Sequence, residues 1–496
     1  MSGIEQSEIQ GLLRSGYGSL RSASYLLLRV ADRAAAKKWL GEARVTTYAN
    51  LNSRVDTALQ IGFTAAGLRA LGLSEAALGE FAPEFISGIA GDETRSRQLG
   101  DVGRNAPQNW TWGHGAGEPH VVVMLFAAPG ELYRLQESIT TPAFDAGFAI
   151  VADVPTVNLQ DFEPFGFFDG ISQPKLDWKA ERKIGTNEDL EYGNLLALGE
   201  FVLGYENEYG RYTPSPSVMA ADDLRGALPP ANGDSGRRDL GRNGSYCVFR
   251  QLEQDVLGFW AFVTKNRSLA EGERLAAAMV GRTRDGEPLA KVTTRPIRGI
   301  DPDKPGAPRN SFTYGADEKA VRCPFGAHTR RSNPRNGDMP GGKQGLLSQL
   351  LRQLGLKKGG PREDLIASSR FHRVLRRGRE YGAPPTPEQA LEPGAFDPGS
   401  GINFLCLNAS ISRQFEFIQS AWIMNSKFDG MTGESDPLLG NREKLATGEA
   451  TDKFIQPQVA GPCAVVEGLP QFVTVKGGAY FFLPSVAALR FLAALD

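Results

Sequence analysis

Short apolar runs that lead directly into amphipathic segments recur in both halves of the chain. The four pairs are residues 24–31 with 32–43, 120–127 with 129–139, 245–252 with 253–263, and 402–409 with 410–422. A short run of β-branched and apolar residues indicates a strand, and an amphipathic stretch indicates a helix. The pattern therefore predicts an α+β protein with antiparallel sheets and peripheral helices.

The strand candidates of the two halves resemble one another. Residues 25–29 (YLLLR) align with 246–250 (YCVFR), and residues 121–124 align with 404–407. We interpret this as a duplication in which two ferredoxin-like β-α-β repeats pack together, as in dimeric α+β barrels. The alternative is that any α+β protein shows some similarity between the strands and helices of its halves.

The chain is long enough for two such repeats, since it has 496 residues and ordinary domains have about 100–150. We assign residues 1–240 to an N-terminal repeat and residues 241–496 to a C-terminal repeat. Residues 336–368 contain a small amphipathic helix between glycine- and lysine-rich flanks, which indicates an exposed insertion.

Composition narrows the possible functions. Lys and Arg number 55 against 57 Asp and Glu, so nothing favours nucleic acid or an anionic membrane as a partner. No stretch reaches the ~18 apolar residues of a membrane span, and the N-terminal residues lack the pattern of an export signal. The four cysteines form no C-x-x-C pair, which is typical of thiols in a reducing compartment. We therefore expect a cytoplasmic protein.

One aspartate lies between glycines in an aromatic segment. Residues 161–174 read DFEPFGFFDGISQP, and Asp169 stands between Phe168 and Gly170. Asp-Gly is a common turn signal, so the pattern alone favours a turn. The functional interpretation is an Asp in an apolar pocket, whose raised pKa would prepare it for proton transfer.

Histidines are scarce, which limits metal chemistry. The chain contains His114, His120, His328 and His372, and no H-E-x-x-H pair that would indicate a zinc enzyme. His328 lies in CPFGAHTRRSNPR (323–335), beside arginines that would suit a ligand with carboxylates. The alternatives are that this segment is a solvated basic loop, and that His372 is the ligand instead.

A third segment, RVLRRGREYG (373–382), alternates in a way that fits a strand ending at a glycine turn. Either Arg376 or Arg377 then points inward, and a buried Arg needs an anionic partner. The alternative is an edge strand that its charges keep soluble.

Together these segments resemble the signatures of dye-decolourising (DyP-type) haem peroxidases. Gly166-FFDG followed by ISQP, and C-P-F-x-A-H-x-R-x-x-N-P-R about 160 residues later, match the two signatures of that family. Further similar segments lie at 8–20, 82–91, 106–113, 403–422 and 475–495. The long C-terminal similarity resembles the larger cytoplasmic bacterial branch.

The resemblance implies a role for each matching residue. His328 stands at the position of the ligand to the iron of one haem b per chain, in the C-terminal half. Asp169 and Arg376 stand at the positions of the acid–base group and the fixed charge that act on hydrogen peroxide, and Arg377 is the alternative if the register slips. The implied cofactor contacts are His328, Arg330, Gly170, Ile171, Ser172 and Phe404.

Two positions depart from the family pattern. Many relatives have an acidic partner of the iron-binding His near residues 405–412, where this chain offers Asn408, Ser410 and Ser412, with Glu416 one helical turn on. The residue before Tyr381 is usually Pro, and here it is Glu380. The partner of His328 therefore stays open.

The resemblance also implies an activity. The protein would reduce hydrogen peroxide and oxidise dyes, phenols or other one-electron donors, favoured at acid pH because Asp titrates lower than His. Trp178, Trp260, Trp422 and Tyr381 are candidates to relay electrons from large dyes. A homo-oligomer fits such a fold, whereas nucleic acid and membrane are not expected partners. The alternative is a non-catalytic haem-binding or haem-handling protein.

Overall fold

The computed structural model describes residues 3–182, 192–293, 296–304, 306–337, 368–445 and 447–495. Residues 338–367, most of the predicted insertion, lie outside the described residues. Within the described ranges, no helix combines the length and the apolar character that crossing a membrane requires.

The strands follow the predicted pattern. In chain order they are β1 (Ser22–Val30), β2 (Thr57–Phe63), β3 (Val121–Ala127), β4 (Phe148–Pro155), β5 (Lys175–Leu176), β6 (Leu195–Leu196), β7 (Ser217–Met219), β8 (Pro230–Ala231), β9 (Asp234–Asp239), β10 (Ser245–Gln254), β11 (Leu375–Arg376), β12 (Arg379–Tyr381), β13 (Ser400–Asn408), β14 (Phe454–Gln456), β15 (Ala464–Val466) and β16 (Val473–Leu483). All four strand candidates of the sequence are strands, as β1, β3, β10 and β13.

Helices connect and cover these strands. They are α1 (Arg33–Glu42), α2 (Ala65–Ala70), α3 (Glu75–Leu78), α4 (Pro83–Ser87), α5 (Glu93–Leu99), α6 (Leu132–Ile139), α7 (Pro142–Gly147), α8 (Val256–Thr264), α9 (Leu269–Val280), α10 (Ala307–Asn310), α11 (His328–Ser332) and the C-terminal helix Val486–Ala493. The predicted helix after β13 has π-helical geometry, in the segments Ser412–Glu416 and Ile418–Ile423.

The main sheet has nine strands and repeats one topology. Its order is β11-β13-β10-β16-β2-β3-β1-β4, and β12 also pairs with β13. Within each half the strands lie in the order second, third, first, fourth, which is the order of a ferredoxin-like unit. The duplicated α+β fold is thereby confirmed. The boundary between residues 240 and 241 stays a prediction, because one sheet runs through both halves.

The register corrects the alignment of the two first strands by one residue. Tyr25 pairs with Met124 on β3, and the corresponding Leu407 on β13 pairs with Cys247. Cys247, and not Tyr246, is therefore the equivalent of Tyr25. Tyr25 and Cys247 pack in one hydrophobic cluster, whereas Tyr246 packs on the other face of the sheet. Side chains alternate along a strand, so a slip of one residue exchanges the faces.

The sheet curves back towards itself. The rings of Tyr25 on β1 and Phe249 on β10 lie 5.5 Å apart, although three strands separate β1 from β10 in the sheet. At the two edges, the Val157 N–H donates to the carbonyl oxygen of Glu380 (2.9 Å). One face thus becomes an enclosed core shared by both halves, and the other face is covered by helices.

Helix α9 ends against the start of α11. Ser268 and Glu271 form a capping box at its N-terminus, and Gly281 at its C-cap has φ +92°. A Cβ at Gly281 would lie 2.1 Å from the Thr329 hydroxyl oxygen, so only glycine fits there. This close approach fixes the position of the residue beside His328.

The residue pair that joins strand β16 to strand β2 should contribute measurably to stability. Phe482 on β16 pairs with Phe63 on β2, is fully buried, and has its ring 5.2 Å from that of Phe81. We expect Phe482→Ala to lower the free energy of unfolding by about 3–5 kcal/mol, because it leaves a cavity at the junction. Denaturant unfolding measures this, with Phe396→Ala (76% exposed) as the control that should change little. If both substitutions lowered the free energy of unfolding equally, the packing of Phe482 would not be what stabilises the contact between β16 and β2.

Candidate functional site

A cavity lies on the helix-covered face of the second half of the sheet. Leu252 on β10 and Phe404 on β13 form part of one wall. Helix α11 and the π-helical segment form another, with His328 and Ile418. The loop of residues 161–174 in the first half contributes a third side. Both halves of the chain therefore build the cavity.

His328 is the first residue of α11 and is fixed by a carboxylate. Its Nδ1 lies 2.9 Å from Oδ2 of Asp436, whose side chain is fully buried. Oδ1 of Asp436 accepts the N–H groups of Leu438 (2.9 Å) and Leu439 (2.8 Å). Since a carboxylate only accepts, Nδ1 carries the proton and Nε2 keeps its lone pair. The His328 side chain leaves 28% of its surface open, and the residue lines the cavity.

The charge of Asp436 makes this imidazole more basic. Burial alone lowers the pKa of His328, but the charge and the hydrogen bond of Asp436 outweigh it, and the pKa lies above its usual value. Burial likewise acts to raise the pKa of Asp436, and the His328 contact reverses that. The pair therefore stabilises positive charge on the imidazole.

Asp169 and Arg376 form a bidentate ion pair in the same cavity. The distances are 3.1 Å from Arg376 Nη2 to Asp169 Oδ1 and 3.2 Å from Nη1 to Oδ2. The Asp169 N–H donates to the carbonyl oxygen of Asp161 (2.8 Å), and Gly170 follows at φ +77°. The predicted Asp-Gly turn is present, and it directs the Asp169 carboxylate to the guanidinium of Arg376.

The strand register decides between the two arginines. Arg376 pairs with Cys406, which packs on the helix-covered face, and Arg376 lines the cavity. Arg377 lies on the opposite side, where its Nε donates to the carbonyl oxygen of Leu12 (2.7 Å). The alternative register is therefore wrong.

The expected rise in the pKa of Asp169 is also wrong. Burial does act to raise it, but the Arg376 charge, the Gly170 N–H and the Arg376 hydrogen bond outweigh burial. The pKa of Asp169 consequently lies below its ordinary value of 3.8. Sequence reasoning considered the apolar neighbours and not the guanidinium that pairs with the carboxylate.

Three further arginines give the cavity a positive wall. Arg282, Arg335 and Arg373 line it, and all are buried. Among the described residues, their hydrogen-bond acceptors are carbonyl, amide and phenol oxygens and no carboxylate. Burial alone raises the pKa of Tyr192, yet Arg335 and Arg373 together hold it below its usual value. Such a wall favours an anionic ligand.

Arg330 does not lie where the resemblance implied. Its guanidinium lies 4.4 Å from the Tyr314 ring centre and 4.5 Å from that of Phe325, and donates to the carbonyl oxygen of Cys323 (2.9 Å). Buried between these rings, it braces the segment before His328 and is not among the described residues that line the cavity. Arg335, from the same basic cluster, does line it.

Of the other predicted cofactor contacts, some line the cavity and one does not. Ile171, Ser172 and Phe404 line the cavity, and Gly170 is not among the described lining residues. Gly170 acts on the site through its N–H, which contacts the Asp169 carboxylate. The assignment of each as a cofactor contact stays a prediction.

His372 also lines the cavity, but its surroundings differ from those of His328. Its ring stacks on Phe417 at 3.6 Å, and its Nδ1 faces the carbonyl oxygen of Arg413. Burial lowers its pKa. It lacks the carboxylate that increases the basicity of His328, and His328 remains the stronger candidate ligand.

Asp436 was missed by the sequence analysis. The residues considered as partners of His328 lie near the end of β13, and Glu416, the only carboxylate among them, pairs with Arg95 (2.8 Å) and accepts from Tyr480 (2.8 Å). Asp436 follows 108 positions after His328, and no local pattern links the two. Only the tertiary fold brings them together.

Comparisons with known proteins agree with this site. No family model matches the chain. The chain is 29% identical over 457 residues to the multifunctional dye peroxidase DyP2 of Amycolatopsis sp., covering 88% of this chain and 82% of that protein. It is 26% identical to Peroxidase 2 of Mycetinis scorodonius, covering 98% and 87%. A fungal DyP-type peroxidase structure from Auricularia auricula-judae superposes with a TM-score of 0.73 at 23% identity, covering 100% of both chains.

By sequence and by structure, the chain is homologous to the dye-decolourising (DyP-type) peroxidases. Its relatives include bacterial and fungal proteins, so the bacterial branch stays a prediction.

Removing the guanidinium should protonate Asp169. In Arg376→Leu, burial acts without opposition, and we expect the pKa of Asp169 to rise above 3.8. Difference infrared spectroscopy near pH 5 should then reveal one protonated carboxyl band in addition to those of wild type. The band should disappear in the double variant with Asp169→Asn. Arg309→Leu, which removes a half-buried guanidinium near Phe168, is the control. If Arg376→Leu showed no such band, the guanidinium would not be what offsets the effect of burial on the pKa of Asp169.

Proposed function

We propose that this protein uses a haem bound in the cavity to reduce hydrogen peroxide and to oxidise dyes, phenols and other one-electron donors. The observation that carries the proposal is that one cavity contains both a bidentate Asp169–Arg376 pair and a histidine whose Nδ1 is held by a carboxylate. The dye peroxidases among its relatives support the same activity.

The cavity residues fit haem b, one per chain. Nε2 of His328 has no hydrogen bond to a described residue and is the nitrogen that would bind iron. Apolar side chains such as Phe404 and Ile418 suit a flat ring. Arg335 and Arg373, buried and without a carboxylate partner among the described residues, suit the two propionates. When bound, the haem would supply the two electrons that reduce peroxide and would then hold the two oxidising equivalents that the donors remove.

The pair Asp436–His328 would tune that haem. Asp436 accepts the Nδ1 proton and makes the imidazole a stronger donor towards iron. A stronger donor favours the more oxidised state of the metal, which assists cleavage of the O–O bond.

Asp169 and Arg376 would have different roles in the reaction with peroxide. The Asp169 carboxylate accepts the proton from one peroxide oxygen and delivers it to the other, so that water leaves. The fixed charge of Arg376 stabilises the negative charge that develops on the leaving oxygen. Because Arg376 lowers the pKa of Asp169, the carboxylate remains a base in acid solution. The preference for acid pH stays a prediction.

Two of the predicted relay residues contact the cavity wall. The Trp260 ring is nearly parallel to that of Phe167, which lines the cavity, with centroids 6.5 Å apart. The Trp422 ring meets His372 at 5.5 Å. We propose these two, in preference to Trp178 and Tyr381, for electron transfer from donors too large for the cavity.

A cytoplasmic location remains our proposal. All four cysteines are free thiols, and Cys247, Cys323 and Cys406 are buried, as in proteins of reducing compartments. A homo-oligomer also stays a prediction. The non-catalytic alternative would leave the Asp169–Arg376 pair without a role, and no observation favours it.

An absorption spectrum tests the cofactor and its ligand. We expect purified protein to show a Soret band that changes on addition of one equivalent of hydrogen peroxide. His328→Ala should lose the band or shift it strongly, because the axial ligand is gone. His372→Ala and the exposed His114→Ala should keep it. If His372→Ala lost the band and His328→Ala kept it, the ligand assignment would be wrong.

Kinetics test the acid–base assignment. Asp169→Asn keeps the shape of the side chain but cannot accept the proton, so the rate of reaction with peroxide should fall by about 10²–10⁴ while haem stays bound. Asp161→Asn, an exposed change in the same loop, should leave the rate unchanged. Stopped-flow measurement of the Soret change gives both rates. Undiminished turnover in Asp169→Asn would favour the haem-handling alternative.

A further inference from the structure

A second carboxylate lines the same cavity as Asp169. Glu163 lies six positions before it, in the same loop. Its Oε1 accepts the N–H of Phe167 (2.9 Å), and its Oε2 accepts the N–H of Phe165 (3.1 Å). Oε2 also accepts from Nε2 of Gln254 on β10 (2.7 Å). Three donors therefore converge on one carboxylate.

These contacts hold the loop to the sheet and to α8. Gln254 connects the Glu163 carboxylate to β10, while the Trp260 indole N–H donates to the carbonyl oxygen of Phe165 (3.1 Å). The Phe165 ring lies 4.5 Å from that of Phe259. With the loop fixed in this way, the carboxylate of Asp169 has little freedom to move away from Arg376.

The charge on Glu163 is not neutralised by a cation. Burial is the main cause that raises its pKa, to about 7, and the charge of Asp169 adds to the rise, against the three N–H donors. Glu380 has a pKa of about 7 as well, also from burial first and from the charge of Asp169. Asp169 itself faces Arg376 and His328. Both carboxyls neighbour the Asp169–Arg376 pair, and of these two Glu163 lines the cavity. Asp101, whose pKa burial raises to about 6, also lines the cavity, and it is paired with Arg250.

We propose that Glu163 is a positioning residue for Asp169, which it holds through the backbone of the loop, and that it is a further ionisable group of this cavity that acts on Asp169. This inference rests on the proposed peroxidase function. The ionised carboxylate accepts all three N–H groups. The protonated acid offers one full acceptor fewer and holds the loop less tightly.

Protonation of Glu163 also changes the electrostatics at Asp169. An ionised Glu163 makes Asp169 a stronger base, and a neutral Glu163 makes it a weaker one. Hydrogen peroxide and hydrogen cyanide are both neutral near pH 7, so the extra negative charge does not repel them. Both effects of ionisation therefore increase proton acceptance by Asp169.

The variant Glu163→Gln tests this inference, because a glutamine amide resembles a protonated glutamic acid in shape and charge. At every pH its cyanide association rate should equal the rate that wild type shows below pH 7. We would measure the association rate of cyanide with the ferric holoenzyme from pH 5 to 9. Wild type should show an inflection near pH 7, and Glu163→Gln should lose it, with a slower rate at pH 8 and an unchanged rate at pH 5.5.

Thermal unfolding of the same holoenzymes provides a readout that does not depend on ligand binding. Because the folded state raises the pKa of Glu163, its protonated form favours folding, and that contribution is lost as pH rises towards 7. Between pH 5 and 8 the unfolding midpoint of wild type should therefore fall relative to that of Glu163→Gln.

Glu380→Gln is the matched control, since it removes another carboxyl that lies near Asp169 and has a pKa of about 7, and Glu380 has no contact with the Phe165 and Phe167 N–H groups. The wild-type inflection should persist in it. Persistence of the inflection in Glu163→Gln, or its loss only in Glu380→Gln, would overturn the inference. A wild-type protein without a Soret band or cyanide binding would instead reject the proposed function, and the thermal comparison would still decide whether Glu163 titrates as described.

Discussion

The ion pair between Asp169 and Arg376 connects two parts of the chain that are 207 positions apart. Asp169 comes from a loop of the first half, and Arg376 from the edge strand β11 of the second half. A carboxylate placed in such a cavity without a cation would have a raised pKa, because burial disfavours its charge. The guanidinium prevents this, so the chemistry of the loop depends on how accurately the two halves are joined.

That joining follows from the curvature of the duplicated sheet. The contact between Tyr25 and Phe249 shows that the inner face of one half packs on the inner face of the other. The loop after β4 continues from the edge that meets β12, at the hydrogen bond from Val157 to Glu380. From there it needs few residues to reach the cavity beside β11. A pair of independent ferredoxin-like domains would leave Asp169 and Arg376 on separate surfaces.

The sequence predicted most of this architecture and part of the site. Strands such as β3 were predictable because every residue from Val121 to Ala127 is apolar, as a central strand with both faces buried requires. The match between the strands was right for β3 and β13 and shifted by one residue for β1 and β10. Tyr25 and Tyr246 are the same residue type, which favoured aligning them, but they lie on opposite faces of the sheet.

The site residues likewise include some that a local sequence pattern reveals and others that it does not. Asp169, His328 and Arg376 belong to local segments with recognisable patterns, so sequence alone could find them. Asp436 and Glu163 act through contacts that no local pattern records. Arg330 was misassigned because proximity in sequence to His328 does not fix the direction of a side chain on a short helix, and its guanidinium turns to the Tyr314 and Phe325 rings.

The distribution of charge within the cavity gives the strongest physical argument for the kind of ligand it holds. Asp169 is paired with Arg376, and Asp436 with the Nδ1 proton of His328. Arg282, Arg335 and Arg373 are each buried and bonded only to neutral oxygens among the described residues. Burying unpaired guanidinium groups is costly unless a ligand brings the missing negative charge. A neutral aromatic ligand would not reduce that cost, whereas a flat apolar ring with two carboxylates would, and it would also cover the apolar wall formed by Phe404 and Ile418.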